Sequence, residues 1–459
     1  MAAPAISVPP RALVVSTIAG ERETPLRMGS ASYSYYYVYQ AFAPFLRRWG
    51  NVVEIVRPTR RLDAVLRRVQ QQSAAVHLAF LPLDVFHPAS HAPNVAFPFW
   101  DFPDLPDYSL GRDPHNDWAG IANGLDLILT AGEFTRDAFA RAGVRTPIHV
   151  VPVPAQPAYF AMPPWEPGQR VVVDCAYYAV SPAGPRAPAP VSTARRLYRE
   201  RLRPRLPQRY ADALAGVAHA VSAARREWRS VSCPLTSPLE LSGVVYTSIF
   251  NPFDQRKNWP DLLSAFLLAL GDCDDATLVL KLAVPRDRAA SGVNAVLDLH
   301  RRLGLAHRCK LVVVSDYLTG EQMAELARGS TYYLNSSRAE GACLPLQDFL
   351  AAARPAVAPR HTAIADVFGE HAGFVVASNP EPASWPQDVD GRCTTTWHRL
   401  VWTSLRDRIR ESYEVAKEKP RQYALLANGA RAHMTALAGP EAVWARLAAA
   451  LDSVAPHAL

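Results

Sequence analysis

Short runs of β-branched residues, apolar at every position and each followed by a helical stretch, constrain this chain more than any other feature. Ala12 to Ile18 (ALVVSTI) is the first such run. A strand with one face in water alternates apolar and polar residues, whereas a continuous run is covered on both faces, as in a parallel sheet lying between helices. Tyr33 to Trp49 then reads as a helix, Val52 to Val56 as strand, Arg61 to Gln72 as helix, and Ala75 to Leu81 and Asn94 to Trp100 as strands. Trp118 to Gly124 is a short helix, Leu125 to Thr130 a strand, and Glu133 to Ala142 a helix closed by Gly143. The pattern restarts with strands at Leu241 to Phe250, Thr277 to Leu282, Lys310 to Val314, Thr331 to Asn335, Ala356 to Ala358 and Gly373 to Val376, separated by helices such as Asn294 to Leu303 and Glu321 to Ala327. This alternation predicts an α/β fold of doubly wound parallel sheets, whose ligands bind at the carboxyl ends of the strands. The chain has 459 residues. That is too long for one core and suits two domains of about 200 residues each.

The stretch Ser336 to Pro359 packs a strand end, a carboxylate, a turn and a helix start into one run. Glu340-Gly341 leaves the strand, Pro345 fits the first turn of a helix where its missing N–H costs nothing, and Leu346 to Ala353 continues helically. A helix N-terminus offers free N–H groups and a positive dipole end, so such a loop can hold a phosphate beside a carboxylate that binds sugar hydroxyls. At these residues the sequence resembles the retaining glycosyltransferases of family 4, two-domain enzymes of the GT-B fold. Glu340, Gly341, Leu344 and Pro345 match the family signature in place, Cys343 stands where a second glycine is usual, and Asp348 replaces a second Glu. The resemblance implies two Rossmann-like domains facing a cleft. It also implies that Glu340 contacts the donor sugar, that Gly341, Ala342, Cys343 and Leu344 line the donor, and that Asp348 holds the ribose hydroxyls, with Gln347 a rival for that place. The alternative for Glu340 is a helix cap.

Ser248 to Phe266 (SIFNPFDQRKNWPDLLSAF) is similar to the family loop in which a basic pair precedes a helix; Arg256 and Lys257 are the matching residues. A retaining transferase without metal must offset charge growing on the diphosphate leaving group, and an Arg fork with a Lys point charge does so. Asn251 stands where the family commonly has an earlier Arg, so one phosphate contact is expected to be weaker or supplied otherwise, with Asn251 still counted among the donor-binding residues. The family holds the nucleotide base by the loop after the Lys310 strand, which nominates Tyr317 and Leu318. In the first domain Gly20 and Gly29 bracket a polar loop that the resemblance places at the cleft, making Gly29 and Ser30 acceptor or donor contacts. The proline- and aromatic-rich segment Phe97 to Ser109 falls where a strand ends at the cleft; Trp100 and Asp101 make a sugar-binding pair by stacking and hydrogen bonding, or Asp101 is a turn residue. Tyr33, Tyr35, Tyr36, Tyr37 and Tyr39 are core packing or an acceptor platform. The block Asp126 to Pro154 is similar to the end of the family's first domain.

Composition bounds the rest. Hydrophobic residues make up 49% of the chain and no apolar run reaches the ~20 residues of a membrane helix. The N-terminus MAAPAISVPP lacks a charged region with an apolar core behind it, so a cytoplasmic location is expected. Six scattered cysteines without a CxxC argue against disulfides or zinc. The net charge of +7 is carried by arginine, densely so from Thr193 to Arg229, after a stretch broken by Pro182, Pro185, Pro188 and Pro190. No nucleic-acid motif is present. The arginine face is either a solvated surface or a peripheral contact with an anionic membrane or phosphate-linked acceptor. Asp272, Asp274 and Asp275 read as a surface turn, and no metal or cofactor is expected beyond the nucleotide-diphosphate sugar as substrate.

The expected domains are a Rossmann-like acceptor-side domain over 1–160, a linker or helical insertion over 161–240, a nucleotide-sugar domain over 241–435, and a C-terminal helix, 436–459, crossing back to the first domain. Thr396 to Ala455 is expected to be helical, with Trp402 and Trp444 as packing anchors. The activity implied is retaining transfer of a sugar to a glycan or lipid-linked acceptor in bacterial polysaccharide or glycolipid assembly. Its rivals are a sugar-nucleotide epimerase or phosphorylase on the same architecture, and a non-catalytic donor-binding module.

Overall fold

The computed structural model describes residues 11–20, 28–57, 61–107, 113–180, 235–385, 388 and 394–455. The first sheet contains β1 (Arg11–Thr17), β2 (Asn51–Val56), β3 (Ala74–Phe80), β4 (Asn94–Ala96), β5 (Leu127–Thr130) and β6 (Ile148–Val150), in the order β2-β1-β3-β4-β5-β6. Every neighbouring pair is parallel. Alternate residues of the same strand serve two cores. Leu13, Val15, Val76, Leu78 and Phe80 pack on Tyr35, Tyr39, Phe42 and Leu46 of the helix Ala31–Trp49, while Ala12, Val14 and Ala75 meet Leu62 and Leu66 of the helix Leu62–Gln70. Covering on both faces is why β1 reads as a continuous apolar run. Strand β4 stops at Ala96 rather than continuing to Trp100. Pro98 has no N–H for the ladder, so the chain leaves the sheet there.

The second sheet contains β8 (Tyr177–Val180), β9 (Leu235–Thr236), β11 (Val244–Phe250), β12 (Ala276–Leu282), β13 (Lys310–Val314), β14 (Tyr332–Leu334), β15 (Ala356–Pro359) and β16 (Gly373–Val376), in the order β16-β15-β14-β11-β12-β13-β8-β9. Strands β7 (Arg170–Val173) and β10 (Leu239–Ser242) pair separately, antiparallel. Gly243, at φ +76, separates β10 from β11, which divides the expected Leu241 to Phe250 strand. Thus the described part of 161–240 is neither linker nor helix: β8 pairs antiparallel with β13 and extends the second sheet. Arg354, fully buried, fixes the junction by donating to the carbonyls of Ala327, Ala352, Arg328 and Pro163. The prolines at 182–190 and the arginines from 195 to 229 lie outside the described residues.

Thr396 to Leu400 is not helical. It belongs to β18 (Thr394–Leu400), which pairs with β17 (Ser378–Ser384) in an antiparallel hairpin; three successive threonines and a tryptophan favour the pleated surface over a helix. Helices follow at Trp402–Glu418, Pro420–Ala438 and Pro440–Asp452. The last of these lays Val443, Leu447, Ala450 and Leu451 into the first-domain core beside Phe42 and Leu46, and Asp452 accepts from Trp49 Nε1 at 2.9 Å. Trp402 Nε1 donates to Ser264 Oγ, and Trp444 lies under the Arg48 guanidinium, both of them packing contacts. Asp272, Asp274 and Asp275 lie between the helix Trp259–Leu270 and β12, where Asp275 pairs with Lys417. No helix among the described residues is long and apolar enough to cross a membrane.

Because a C-terminal helix completes the N-terminal core, Leu447→Ala should destabilise by about 2–4 kcal/mol. Hydrogen exchange is expected to show the loss of protection in β1 and β3, not in β11 and β12.

Candidate active site

The second sheet reverses direction at one place. From β11 the chain runs outward through β12 and β13, then returns to the other side of β11 and runs outward through β14, β15 and β16. Loops leaving the carboxyl ends of β11 and β14 therefore lie side by side, the position where open α/β sheets bind ligands. This brings together two stretches that the sequence separates by 83 residues: Lys257 Nζ donates to Glu340 Oε1 at 2.7 Å. Ser337 Oγ donates to the same oxygen at 2.6 Å, and the Glu340 N–H donates to Thr362 Oγ1 at 3.1 Å.

The first domain completes the cluster. Arg256 Nη1 lies 2.5 Å from Asp101 Oδ1 and Nη2 lies 2.7 Å from Asp254 Oδ2. Burial, the largest single influence, lowers the pKa of the Lys257 ammonium, but Glu340, Asp254 and Asp101 together outweigh it and the group is held above the ordinary lysine value. For Arg256 burial is likewise outweighed, by Asp101 and Asp254, and its pKa is raised. For Asp254 burial, the largest single influence, works upward but Arg256 and Lys257 together prevail and the carboxyl is held below its usual range, whereas at Asp101 burial prevails and the carboxyl is held above it. Two cations thus face three carboxylates across a closed domain interface.

Glycine and a left-handed residue permit the approach. A Cβ on Gly341 would stand 2.9 Å from the Trp100 carbonyl oxygen, so the Glu340-Gly341 turn fits under the first domain only without a side chain. Cys343 precedes the helix Leu344–Ala351 at φ 54, ψ 56, a conformation that explains why glycine is usual there and that costs a cysteine about 1–2 kcal/mol. Its buried thiol accepts from Asn335 Nδ2. Ala342 and Leu344 pack on the first-domain core.

The remaining expected residues divide. Trp100 is 8% exposed among Phe102, Trp118 and Trp385, with Nε1 donating to the Asp104 carbonyl; its rings are in packing, and it is not a sugar platform. Asn251 Nδ2 donates to the Gly29 carbonyl at 3.1 Å, docking the first loop onto the second domain. Gly29, at φ +82, would place a Cβ 2.2 Å from the Ala283 carbonyl, which again requires glycine. Ser30 follows as the N-cap of the helix Ala31–Trp49. Leu318 is core, and the Tyr317 hydroxyl meets Tyr37 OH across the cleft at 2.6 Å. Of the tyrosine cluster, Tyr35 and Tyr39 are core, and Tyr33, Tyr36 and Tyr37 form a ring group beside that contact. Gln347 is fixed on the Ala342 carbonyl, while Asp348 has no hydrogen-bond or ion-pair partner for its carboxylate among the described residues. Burial pushes that carboxyl up to about 7.

Sequence reasoning missed Asp254, Ser337 and Thr362, ordinary turn residues by type, and Lys281. The last had a signal: it is the one charge in the buried strand ATLVLKL. It also missed the β17–β18 hairpin, which reaches the first domain through Thr395 Oγ1 donating to Asp104 Oδ2 and Trp385 against Trp100.

Lys257→Met should cost about 3–5 kcal/mol in urea melts, since it leaves the Glu340 carboxylate buried beside Ser337 alone, and adding Glu340→Gln should restore most of it. Asp348 gives the opposite sign. Its folded pKa lies above the unfolded value, so the folded state holds the extra proton between about pH 4 and 7 and is penalised above 7. Asp348→Asn should therefore raise the melting temperature at pH 8 and leave it nearly unchanged at pH 4.

No protein-family model and no curated protein sequence matches the chain. Solved structures do. The fold is similar to Anabaena HepE, solved with UDP and glucose, at a TM-score of 0.52 and 14% identity over 96% of this chain and 100% of that one. Sucrose-phosphate synthase of Thermosynechococcus elongatus gives 0.54 and 11% over 96% and 98%, and α,α-trehalose 6-phosphate synthase of Burkholderia multivorans 0.53 and 14% over 97% and 99%. At these identities the likeness establishes architecture: the chain has the GT-B fold, two Rossmann-like domains facing a cleft.

Proposed function

We propose that the protein is a retaining, metal-independent glycosyltransferase that moves a sugar from a nucleotide-diphosphate donor to a glycan or lipid-linked acceptor, in bacterial polysaccharide or glycolipid assembly at the inner face of the membrane. The observation that carries the reading is the Lys257–Glu340 pair at the strand reversal, closed over by Asp101 of the other domain. HepE, of the same fold, is solved with UDP-glucose, which supports a nucleotide-sugar donor.

Lys257 and Arg256 hold carboxylates when no donor is bound, so binding is a change of partners. The donor diphosphate takes Lys257, and Glu340, released from it, accepts hydrogen bonds from the sugar hydroxyls. As the glycosidic bond breaks, negative charge grows on the departing diphosphate; Lys257 and Arg256, already desolvated, stabilise it without reorganisation. The acceptor hydroxyl attacks from the same face, its proton passing to a phosphate oxygen. Glu340 positions the sugar and forms no covalent bond with it. Asp348, without a partner one helical turn away, receives the ribose hydroxyls. The self-neutralised cations also favour a second reading, a donor-binding module in which the partners never exchange.

The test is binding of UDP, GDP, dTDP and ADP sugars to wild type and Lys257→Ala, with product analysis with and without acceptor. One nucleotide family should bind, with Lys257→Ala weakened about a hundredfold, and transfer should retain the anomeric configuration in the presence of EDTA. Binding without turnover would establish the second reading; turnover without acceptor would establish an epimerase. Donor affinity should fall by about tenfold as pH drops from 8 to 6 and Asp348 takes its proton, and Asp348→Asn should flatten that profile.

A further inference from the structure

Strand β12 is buried at every position, and Lys281 is its one charge, 3% exposed near the strand's carboxyl end. An ammonium there is costly unless paired. Its described partners are poor: the carbonyl of the adjacent Leu282 at 2.9 Å, and the Met28 thioether at 3.8 Å, a weak acceptor. No carboxylate lies within ion-pair distance among the described residues; Asp316, in the loop after β13, acts only from farther away, as does the Cys175 thiol after β7. Burial accordingly lowers the ammonium to about 8.

It lies at the seam between the two domains. Met28 belongs to the opposite domain, and Met28-Gly29-Ser30 leads directly into the 19-residue helix Ala31–Trp49, whose first turn carries no acidic residue. The positive end of that helix and the Lys281 ammonium thus converge beside the strand reversal. The charge cluster at Glu340 meanwhile sets two cations against three carboxylates, so a dianionic diphosphate meets no surplus positive charge there.

We propose that Lys281, with the N-terminal end of the Ala31–Trp49 helix, forms a second phosphoryl-binding point of the cleft and takes a phosphate oxygen of the nucleotide-diphosphate donor. The assignment rests on the donor-binding reading above and adds a residue to it. Lys281 adds to Arg256 and Lys257 a cation that no carboxylate among the described residues holds. It holds the phosphate from the second domain against the first-domain segment Met28–Ser30, so that phosphate binding and the docking of that segment reinforce each other.

Isothermal titration of the full-length wild type, Lys281→Met and Lys281→Arg with UDP, GDP, dTDP and ADP, and with the four parent nucleosides, tests this. Methionine replaces the stem and packs on Met28, so thermal melts of Lys281→Met should stay at or above wild type. For the diphosphate that binds, Lys281→Met should weaken affinity about tenfold or more while nucleoside affinity is unchanged, and Lys281→Arg should retain part of the difference. Wild-type affinity should fall as pH rises from 7.5 to about 9.5, with Lys281→Met flat. Equal diphosphate affinity in wild type and Lys281→Met, or equal losses for diphosphate and nucleoside, would overturn the assignment and leave the donor-binding reading standing. Failure of the wild type to bind any of the four diphosphates would overturn both.

Discussion

The structure turns on the charge cluster at the domain interface. Arg256 bridges Asp101 of the first domain and Asp254 of its own loop, while Lys257 holds Glu340. In water such pairs are worth little, but with the Arg256 side chain 13% exposed and that of Glu340 8% the Coulomb terms are strong and so is the cost of leaving any member alone. The two domains are therefore closed by the same groups that define the candidate chemistry. A ligand that enters must replace these partners, which links occupancy of the cleft to the contact between domains.

Close backbone approach makes that geometry attainable. Gly341 under Trp100 and Gly29 against Ala283 are sites where one extra carbon would separate the domains. Cys343 adopts the left-handed conformation that the tight exit into the helix Leu344–Ala351 requires, with its thiol packed against Asn335. Around this seam the β17–β18 hairpin adds a contact from the second domain to Asp104 and Trp100, and Asp366 accepts from the Phe134 N–H. Closure combines these polar contacts at loop ends with apolar ones, Ala342 and Leu344 on the first-domain core and Ala339 and Trp385 in the cluster around Trp100.

Two ionisable groups stand apart from this neutralised cluster. Lys281 and Asp348 are shifted in the directions that burial dictates, the ammonium down and the carboxyl up, and neither has an ion-pair partner among the described residues. A fold keeps such groups where a ligand or a proton change repays them. One is a cation and the other an acceptor, so a molecule carrying both phosphate and hydroxyl groups satisfies the pair.

The strands and helices around the site were legible because burial on both faces writes itself into each strand as a continuous apolar run, as in β1 and β12, and because Glu340, Gly341 and Pro345 mark strand exit and helix start by local backbone rules. Glu340 and Lys257 could be named singly from residue type and order. Their pairing could not, since it depends on β11 and β14 being neighbours across the strand reversal. For the same reason Trp100 looked like a binding surface, when Trp118 and Trp385, distant in sequence, help bury it, and Asn251 looked like a donor contact, when its amide donates to Gly29. The hairpin and the strands of the middle segment escaped because their partners, and not their own periodicity, decide their state. Local steric and hydrophobic rules act over a few residues and so can be read along the chain. The charge balance of the cleft is a sum over groups contributed by both domains, and only the folded molecule brings its terms within range of one another.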